Sequence, residues 1–143
     1  MSDRATSSAT SAHRDLRGPV VVAGAVLAVA ALLRVRDPHD AGSYGFCPFL
    51  SLTGLPCPGC GGLRAVNDLT RGDVVAAASS NALAVALVLG LTVAWAIWTA
   101  RRSMGDRAAP LIVVNARAAL AVVTVVLLFG VLRNTPWGAW FAP

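Results

Sequence analysis

Residues 74–100 read VVAAASSNALAVALVLGLTVAWAIWTA, and this uncharged run indicates the fold class. A helix of these residues is about 40 Å long, which is enough to cross a hydrocarbon core of about 30 Å. Trp95 and Trp98 lie near its end, and Arg101 and Arg102 follow at once, as is typical of a membrane interface. The run predicts a membrane-spanning helix over about 74–100.

Composition indicates the same class of protein. The chain has 143 residues, of which 56% are hydrophobic and 13% are charged, against about 25% charged residues in soluble domains. A chain this short forms one compact unit, which excludes a large soluble catalytic domain. The net charge of +5 comes from arginines at the edges of apolar runs. Because no basic stripe alternates with aromatic residues, we expect contact with the lipid bilayer and no nucleic-acid partner.

Two more apolar runs flank this helix. The run between Arg17 and Arg34 carries no charge and predicts a first helix over about 18–35. The last apolar run is interrupted only by Arg117 and predicts a third helix over about 110–132. Arg117 would then lie about two turns inside the helix, where a charge is a candidate functional residue.

The two ends of the chain are different in kind. Residues 1–17 are rich in Ser, Thr and charge and predict a disordered tail, which leaves residues 18–143 as a single membrane domain. Aromatic residues near the C-terminus predict an interfacial anchor. With a cytoplasmic N-terminus, seven arginines lie on that side and five on the other, as the positive-inside rule prefers. The segment between the first two helices then faces the extracytoplasmic side, where disulfides persist.

That segment contains all three cysteines, within the stretch CPFLSLTGLPCPGCGGLRA at residues 47–65. Cys57 and Cys60 form a C-x-x-C pair, and Cys47 lies ten residues before it. Glycine permits tight turns and proline stiffens the path, so the composition predicts a shaped loop at the membrane interface. The residues that shape it are Pro48, Pro56, Pro58, Gly54, Gly59, Gly61 and Gly62.

A short helix is predicted directly after the cysteines. Leu63, Val66 and Leu69 recur at three-residue intervals, with polar residues on the other side. This pattern predicts an amphipathic helix over about 62–69 that lies on the membrane surface.

Three polar side chains in and after this helix have ordinary structural interpretations. Arg64 is expected to be a solvated interfacial charge. Asp73 precedes the long apolar helix and is expected to be its N-cap. Asn81, early in that helix, is expected to hydrogen-bond a neighbouring helix.

The chemistry of the cysteines stays open between three interpretations. A disulfide between any two of them would brace the loop. The C-x-x-C spacing is also that of thiol-disulfide sites, although the chain lacks the βαβ pattern of thioredoxin domains. A tetrahedral Zn or Fe site would need a fourth ligand beside Cys47, Cys57 and Cys60, for which His39 and Asp68 are candidates. Because no second paired knuckle is present, no cofactor is expected.

The stretch from Phe46 to Leu83 resembles the bacterial DUF2752 family of small membrane proteins. The family pattern is approximately C-P-x-x-x-x-T-G-x-P-C-P-G-C-G-x-T-R-A, followed by a helix, a Gly-Asp pair and an Asn-Pro. The matching residues here are Cys47, Pro48, Thr53, Gly54, Pro56, Cys57, Pro58, Gly59, Cys60, Gly61, Arg64, Ala65, Gly72, Asp73 and Asn81.

Two positions depart from this pattern. Leu63 stands where the family has Thr, so a catalytic hydroxyl is not expected there. Ala82 stands where the family commonly has Pro, which predicts a more regular start to the following helix. The resemblance implies a bacterial cytoplasmic membrane and makes the cysteine stretch the defining element.

Taken together, the sequence predicts an all-α membrane protein with three transmembrane helices. A Cys/Pro/Gly-rich interfacial loop and a short amphipathic helix join the first two. No hydrolase or nucleotide-binding motif is present, so an enzyme is not expected. The favoured role is a non-enzymatic accessory or assembly subunit with a membrane-protein partner or a second copy of itself. The alternatives are a thiol-disulfide carrier using Cys57 and Cys60, with Cys47 as a resolving or docking thiol, or a metal site.

Overall fold

A computed structural model describes residues 16–106, 108–112 and 115–141 of the chain, with no account of the side chain at position 139. These residues form five α-helices and one short 3₁₀ helix, with no strand among them, which confirms the predicted all-α class. The elements are α1 (Arg17–Val35), α2 (Pro48–Thr53), α3 (Gly62–Thr70), α4 (Val74–Ser103), α5 (Ala116–Leu132) and the 3₁₀ helix (Pro136–Phe141).

Two of the helices, α1 and α4, are long and apolar enough to cross a membrane, judged by length and composition. Helix α5 is also apolar but shorter. Most side chains of these helices face outward: Val21 and Leu27 on α1 are each 69% exposed. Apolar side chains on an outer face are stable in lipid and costly in water, so the fold indicates a membrane location.

Helix α1 begins at Arg17, one residue before the predicted start. The predicted disordered tail lies outside the described residues, except for its last two positions.

Helix α5 begins later than predicted. Its first residue is Ala116, because the Asn115 side chain accepts a hydrogen bond from the Ala118 N–H (2.8 Å) and acts as the N-cap. Arg117 therefore lies in the first turn, and its predicted place two turns inside a helix is wrong. A charge at this position is close to the helix end and needs no partner within the membrane.

Helix α4 has the predicted cap at its start and an unexpected break further on. The Asp73 carboxylate accepts a hydrogen bond from the Ala76 N–H (2.8 Å). At Asn81 the backbone leaves the helical conformation (φ −168°, ψ 96°), and the Asn81 side chain then accepts from the Ala84 N–H (2.9 Å). The expectation of a more regular start is thus wrong, because an asparagine side chain can replace the backbone as the acceptor of a helical N–H.

The helix predicted to lie on the membrane surface packs its polar face against the other helices. Helix α3 packs against α1 and α4, and its polar residues Asn67 and Asp68 are 0% and 6% exposed. The Asn67 side chain donates to the Leu33 carbonyl at the end of α1 (2.6 Å), and Ser80 of α4 donates to Asp68 (3.1 Å). The polar face therefore points into the protein, because the adjoining helices offer it hydrogen-bonding partners that lipid does not.

Small residues let these helices approach closely. Ala65 of α3 and Ala77 of α4 are fully buried and pack with Val85, and the partly buried Leu69 and Ala84 pack against them. This small core fixes α3 beside the first half of α4, which places the residues just before α3 next to Asn81.

Candidate functional site

The three cysteines come from two segments that meet at the start of α3. Cys47 is the N-cap residue of α2, a short helix within the predicted loop. Cys57 and Cys60 lie in the turn before α3. The three sulfur atoms all lie within 4.8 Å of one another, and the Sγ atoms of Cys57 and Cys60 are 2.9 Å apart in a hydrogen bond. All three are free, half-buried thiols, so no disulfide joins them in this structure.

Proline and glycine shape the path between these segments. Pro48 occupies the first turn of α2, where its missing N–H costs nothing. Gly54 (φ 72°) ends α2 and Gly61 (φ 78°) precedes α3, both in the left-handed region that favours glycine. Thr53 donates to the Phe49 carbonyl (2.6 Å), which closes the last turn of α2. The motif residues thus act together to bring Cys47 back towards the C-x-x-C pair.

Asn81 holds the C-x-x-C turn from the side of α4. Its side-chain amide donates to the carbonyls of Pro58 (2.9 Å) and Cys60 (3.0 Å), while its oxygen caps the restarted helix. The break in α4 is therefore tied to the cysteine turn, and Asn81 bonds to a loop where a partner on another helix was expected.

Arg133 and Asn134 hold the same turn from the end of α5. One terminal nitrogen of Arg133 donates to the carbonyls of Cys57 (2.8 Å) and Cys60 (3.0 Å). Asn134 donates to the Pro56 carbonyl (3.0 Å). The carbonyls of the turn thus accept hydrogen bonds from the buried Arg133 and from the exposed Asn134.

Sequence reasoning missed both of these residues. An Arg-Asn pair after an apolar run is ordinary composition for a helix end at a membrane interface, so no pattern marked it. Arg133 is 2% exposed, and its guanidinium lies 5.3 Å from the centre of the Phe129 ring. Only in the folded chain does this charge contact the cysteine turn, which lies more than 70 residues earlier in the sequence.

The environments of the thiols differ. The Leu50 N–H at the start of α2, followed by the thiols of Cys60 and Cys57, lowers the pKa of Cys47 to about 7. Burial, followed by hydrogen bonds with Cys57 and Cys47, raises the pKa of Cys60 to about 12. The cluster therefore combines one acidic thiol with one that holds its proton.

The candidates for a fourth metal ligand lie elsewhere. His39 contacts Asp37 through Nδ1 (2.8 Å) and Asp68 through Nε2 (3.3 Å). Hydrogen bonds, first from the His39 backbone and then from its side chain, lower the pKa of Asp37 to about 2. No His, Asp or Glu within the described ranges joins the three sulfurs. The three sulfurs could hold a metal ion, but a closed tetrahedral site needs four protein ligands.

The remaining predicted residues are close to the cluster without extending it. Arg64, on the first turn of α3, is half-buried rather than fully solvated. Its positive charge repels that of Arg133. Gly59 lies open within the turn, where an added Cβ would meet only the Cys57 sulfur at 3.8 Å.

Comparison with known protein families identifies the cysteine region. The family described as "Protein of unknown function (DUF2752)" matches residues 47–95, from the first cysteine to Trp95 on α4. No curated protein and no solved structure matches the chain. The match contains the three cysteines and Asn81, and Arg133 lies beyond it. The resemblance inferred from the cysteine motif is confirmed, since residues 47–95 match the DUF2752 family.

Proposed function

We propose that this protein exchanges thiols and disulfides at the membrane, with Cys47, Cys57 and Cys60 as its reactive group. The observation that carries the proposal is the hydrogen bonding of the turn. Asn81 and Arg133, together with Asn134, already fix the turn carbonyls, so the fold does not need a disulfide as a brace. Three partly exposed thiols that lie close together are then better explained by thiol reactivity than by a structural role as a brace.

The roles of the thiols follow from their environments. Cys47 is the attacking thiol, because the amide of α2 and the two neighbouring thiols stabilise its thiolate. This differs from the sequence-based hypothesis, which gave Cys47 the resolving role. Cys57 and Cys60 lie within reach of the Cys47 sulfur and act as the resolving pair.

The exchange is balanced with a protein disulfide as the partner. The Cys47 thiolate attacks one partner sulfur; the partner S–S bond breaks, and its other sulfur leaves as a thiolate that takes a proton. The thiol of Cys57 or Cys60 then gives up its proton and attacks the Cys47 sulfur, and the second partner sulfur leaves as a thiolate that takes a proton. Two thiols of this protein are oxidised to a disulfide, and the partner disulfide is reduced to two thiols.

Trapping the mixed disulfide tests this function in the full chain in its native membrane. The double variant Cys57→Ser/Cys60→Ser keeps the attacking thiol and lacks the resolving pair. We expect it to accumulate a reductant-sensitive adduct on non-reducing gels. The Cys47→Ser variant is the matched control and is expected to form none.

Three outcomes would overturn the proposal. The first is the absence of an adduct from the double variant at normal protein abundance. The second is protection of all three thiols from alkylation until a chelator is added, which would show a metal site instead. The third is equal loss of protein from every cysteine variant without an adduct, which would support the accessory or assembly subunit.

A further inference from the structure

Arg133 is a buried cation whose partners are almost all uncharged. Its hydrogen bonds go to the carbonyls of Cys57, Cys60 and Phe141. Its Nε is buried and donates to no atom of the described residues. Within the described part of the chain, no carboxylate forms an ion pair with it.

Such a charge needs compensation. An uncompensated ion in a protein interior is strongly destabilising, and carbonyl dipoles compensate only part of its charge. Burial disfavours the charged form of Arg133, and the neighbouring Arg64 adds repulsion. The groups that favour its charge are the sulfurs of Cys60 and Cys57. Among the residues that the structure describes, the acidic groups that face it are therefore these two thiols.

We infer that Arg133 is the counter-charge of the three-thiol cluster, which carries one negative charge when it is reduced. Three sulfurs within 4.8 Å of one another can share two protons around a single thiolate. In this arrangement Cys47 holds the charge, one of the other two thiols donates a hydrogen bond to it, and the remaining S–H joins Cys57 and Cys60. The low pKa of Cys47 and the high pKa of Cys60 agree with this distribution.

Arg133 acts through the turn and not by touching a substrate, so it is a positioning residue. It fixes the carbonyls of Cys57 and Cys60, which places its positive charge against the turn that carries these two thiols. Helix α5 thus contributes a residue to the thiol site from beyond the matched family region. The inference rests on the proposed exchange function and deepens it, because a buried positive charge adds to the Leu50 N–H and the neighbouring thiols in favouring a thiolate in the cluster.

The test follows the ionisation of the thiols in the purified, reduced full chain in detergent micelles. Thiolate absorbance and iodoacetamide labelling of each cysteine, resolved by mass spectrometry, are measured between pH 5 and 11. We expect one thiolate per chain to form near pH 7, mainly at Cys47. The Cys60 thiol is expected to ionise only well above pH 9.

Variants at position 133 separate charge from packing. Arg133→Gln is expected to slow Cys47 labelling at pH 6 by about tenfold, which is one pKa unit. Arg133→Lys keeps the charge and loses the fork of donors, and its labelling rate is expected to stay within about threefold of the parent. Arg64→Gln removes a neighbouring positive charge that makes no hydrogen bond to the turn, and it is the matched control, with a change of less than about twofold.

Two results would overturn the inference. One is the absence of any thiolate below pH 9 in the parent chain, a measurement that needs no variant to fold. The other is equal labelling of the Gln and Lys variants, with circular dichroism showing both folded. Failure of partner trapping with a thiolate present would overturn the exchange function alone, so the two proposals fail separately.

Discussion

The end of the molecule that holds α3 and the cysteine turn is built differently from the apolar lengths of α1, α4 and α5. At the polar end, Asn67 and Asp68 are buried and hydrogen-bonded across long stretches of sequence. Along the apolar helices, residues such as Val21 and Leu27 are largely exposed. The usual arrangement of a soluble protein is thus reversed. The difference teaches that polar contacts specify this fold, while the apolar lengths mainly suit it to lipid.

At the opposite end of the molecule, fewer hydrogen bonds connect the long helices to other segments. The Trp95 indole donates to the Pro19 carbonyl (3.1 Å), and the Trp98 indole donates to the Ala109 carbonyl (2.8 Å). An aromatic ring with one polar atom suits the interface, where the ring lies in lipid and the N–H needs an acceptor. Between these two ends, the outer faces of the helices contribute little packing within the chain.

The largest effect is expected at Asn81. Asn81→Ala removes two hydrogen bonds to the cysteine turn and the cap of the restarted helix, and should lower the free energy of unfolding by about 2–4 kcal/mol. Thr92→Ala is the control on the same helix, because the Thr92 hydroxyl donates to the backbone carbonyl of Val88 (2.8 Å), within the helix itself. Unfolding in mixed micelles measures both. Equal effects would show that polar contacts do not specify the fold.

A smaller effect is expected from comparing a buried polar residue with an exposed apolar one. Asn67→Ala removes the bond to Leu33 and should destabilise the fold by about 1–2 kcal/mol. Leu27→Ala removes a larger apolar side chain that is mostly exposed, and should cost less than about 0.5 kcal/mol. The same unfolding assay compares them. The opposite order would mean that α1 packs against more of the protein than the structure shows.

The smallest effect is a pH dependence in the loop that leads to Cys47. Because the folded pKa of Asp37 is about 2, below its ordinary value of 3.8, its contribution is complete above pH 4 and is lost as the pH falls towards 2. Asp37→Asn should therefore flatten the acid limb of the melting temperature between pH 4 and 2. Asp40→Asn is the control in the same loop. An unchanged acid limb in Asp37→Asn would contradict the lowered pKa.

The sequence predicted the apolar helices and the grouping of cysteines because both are local patterns. An uncharged run over 74–100 has few alternatives to a helix, and a Cys-Pro-Gly-Cys stretch has few alternatives to a turn. The N-cap at Asp73 was an equally local prediction, and the structure confirms it.

The errors came where periodicity identifies a face of a helix without indicating what that face contacts. The alternation in α3 correctly predicted an amphipathic helix, but Asn67 and Asp68 point inward. Asn115 and Asn81 shifted or broke helices through side-chain bonds to the backbone, which compete with helix propensity over only a few residues.

What the sequence by itself determined is the helical, membrane-suited class and the identity of the cysteine element, since hydrophobicity and turn chemistry act over neighbouring residues. Only the tertiary structure decided that three thiols from two segments lie close together, and that the buried Arg133 contacts the turn that carries two of them. The physical reason is that the strength of a buried charge's interactions depends on distance in space and on the exclusion of solvent. Neither quantity is encoded in local spacing along the chain.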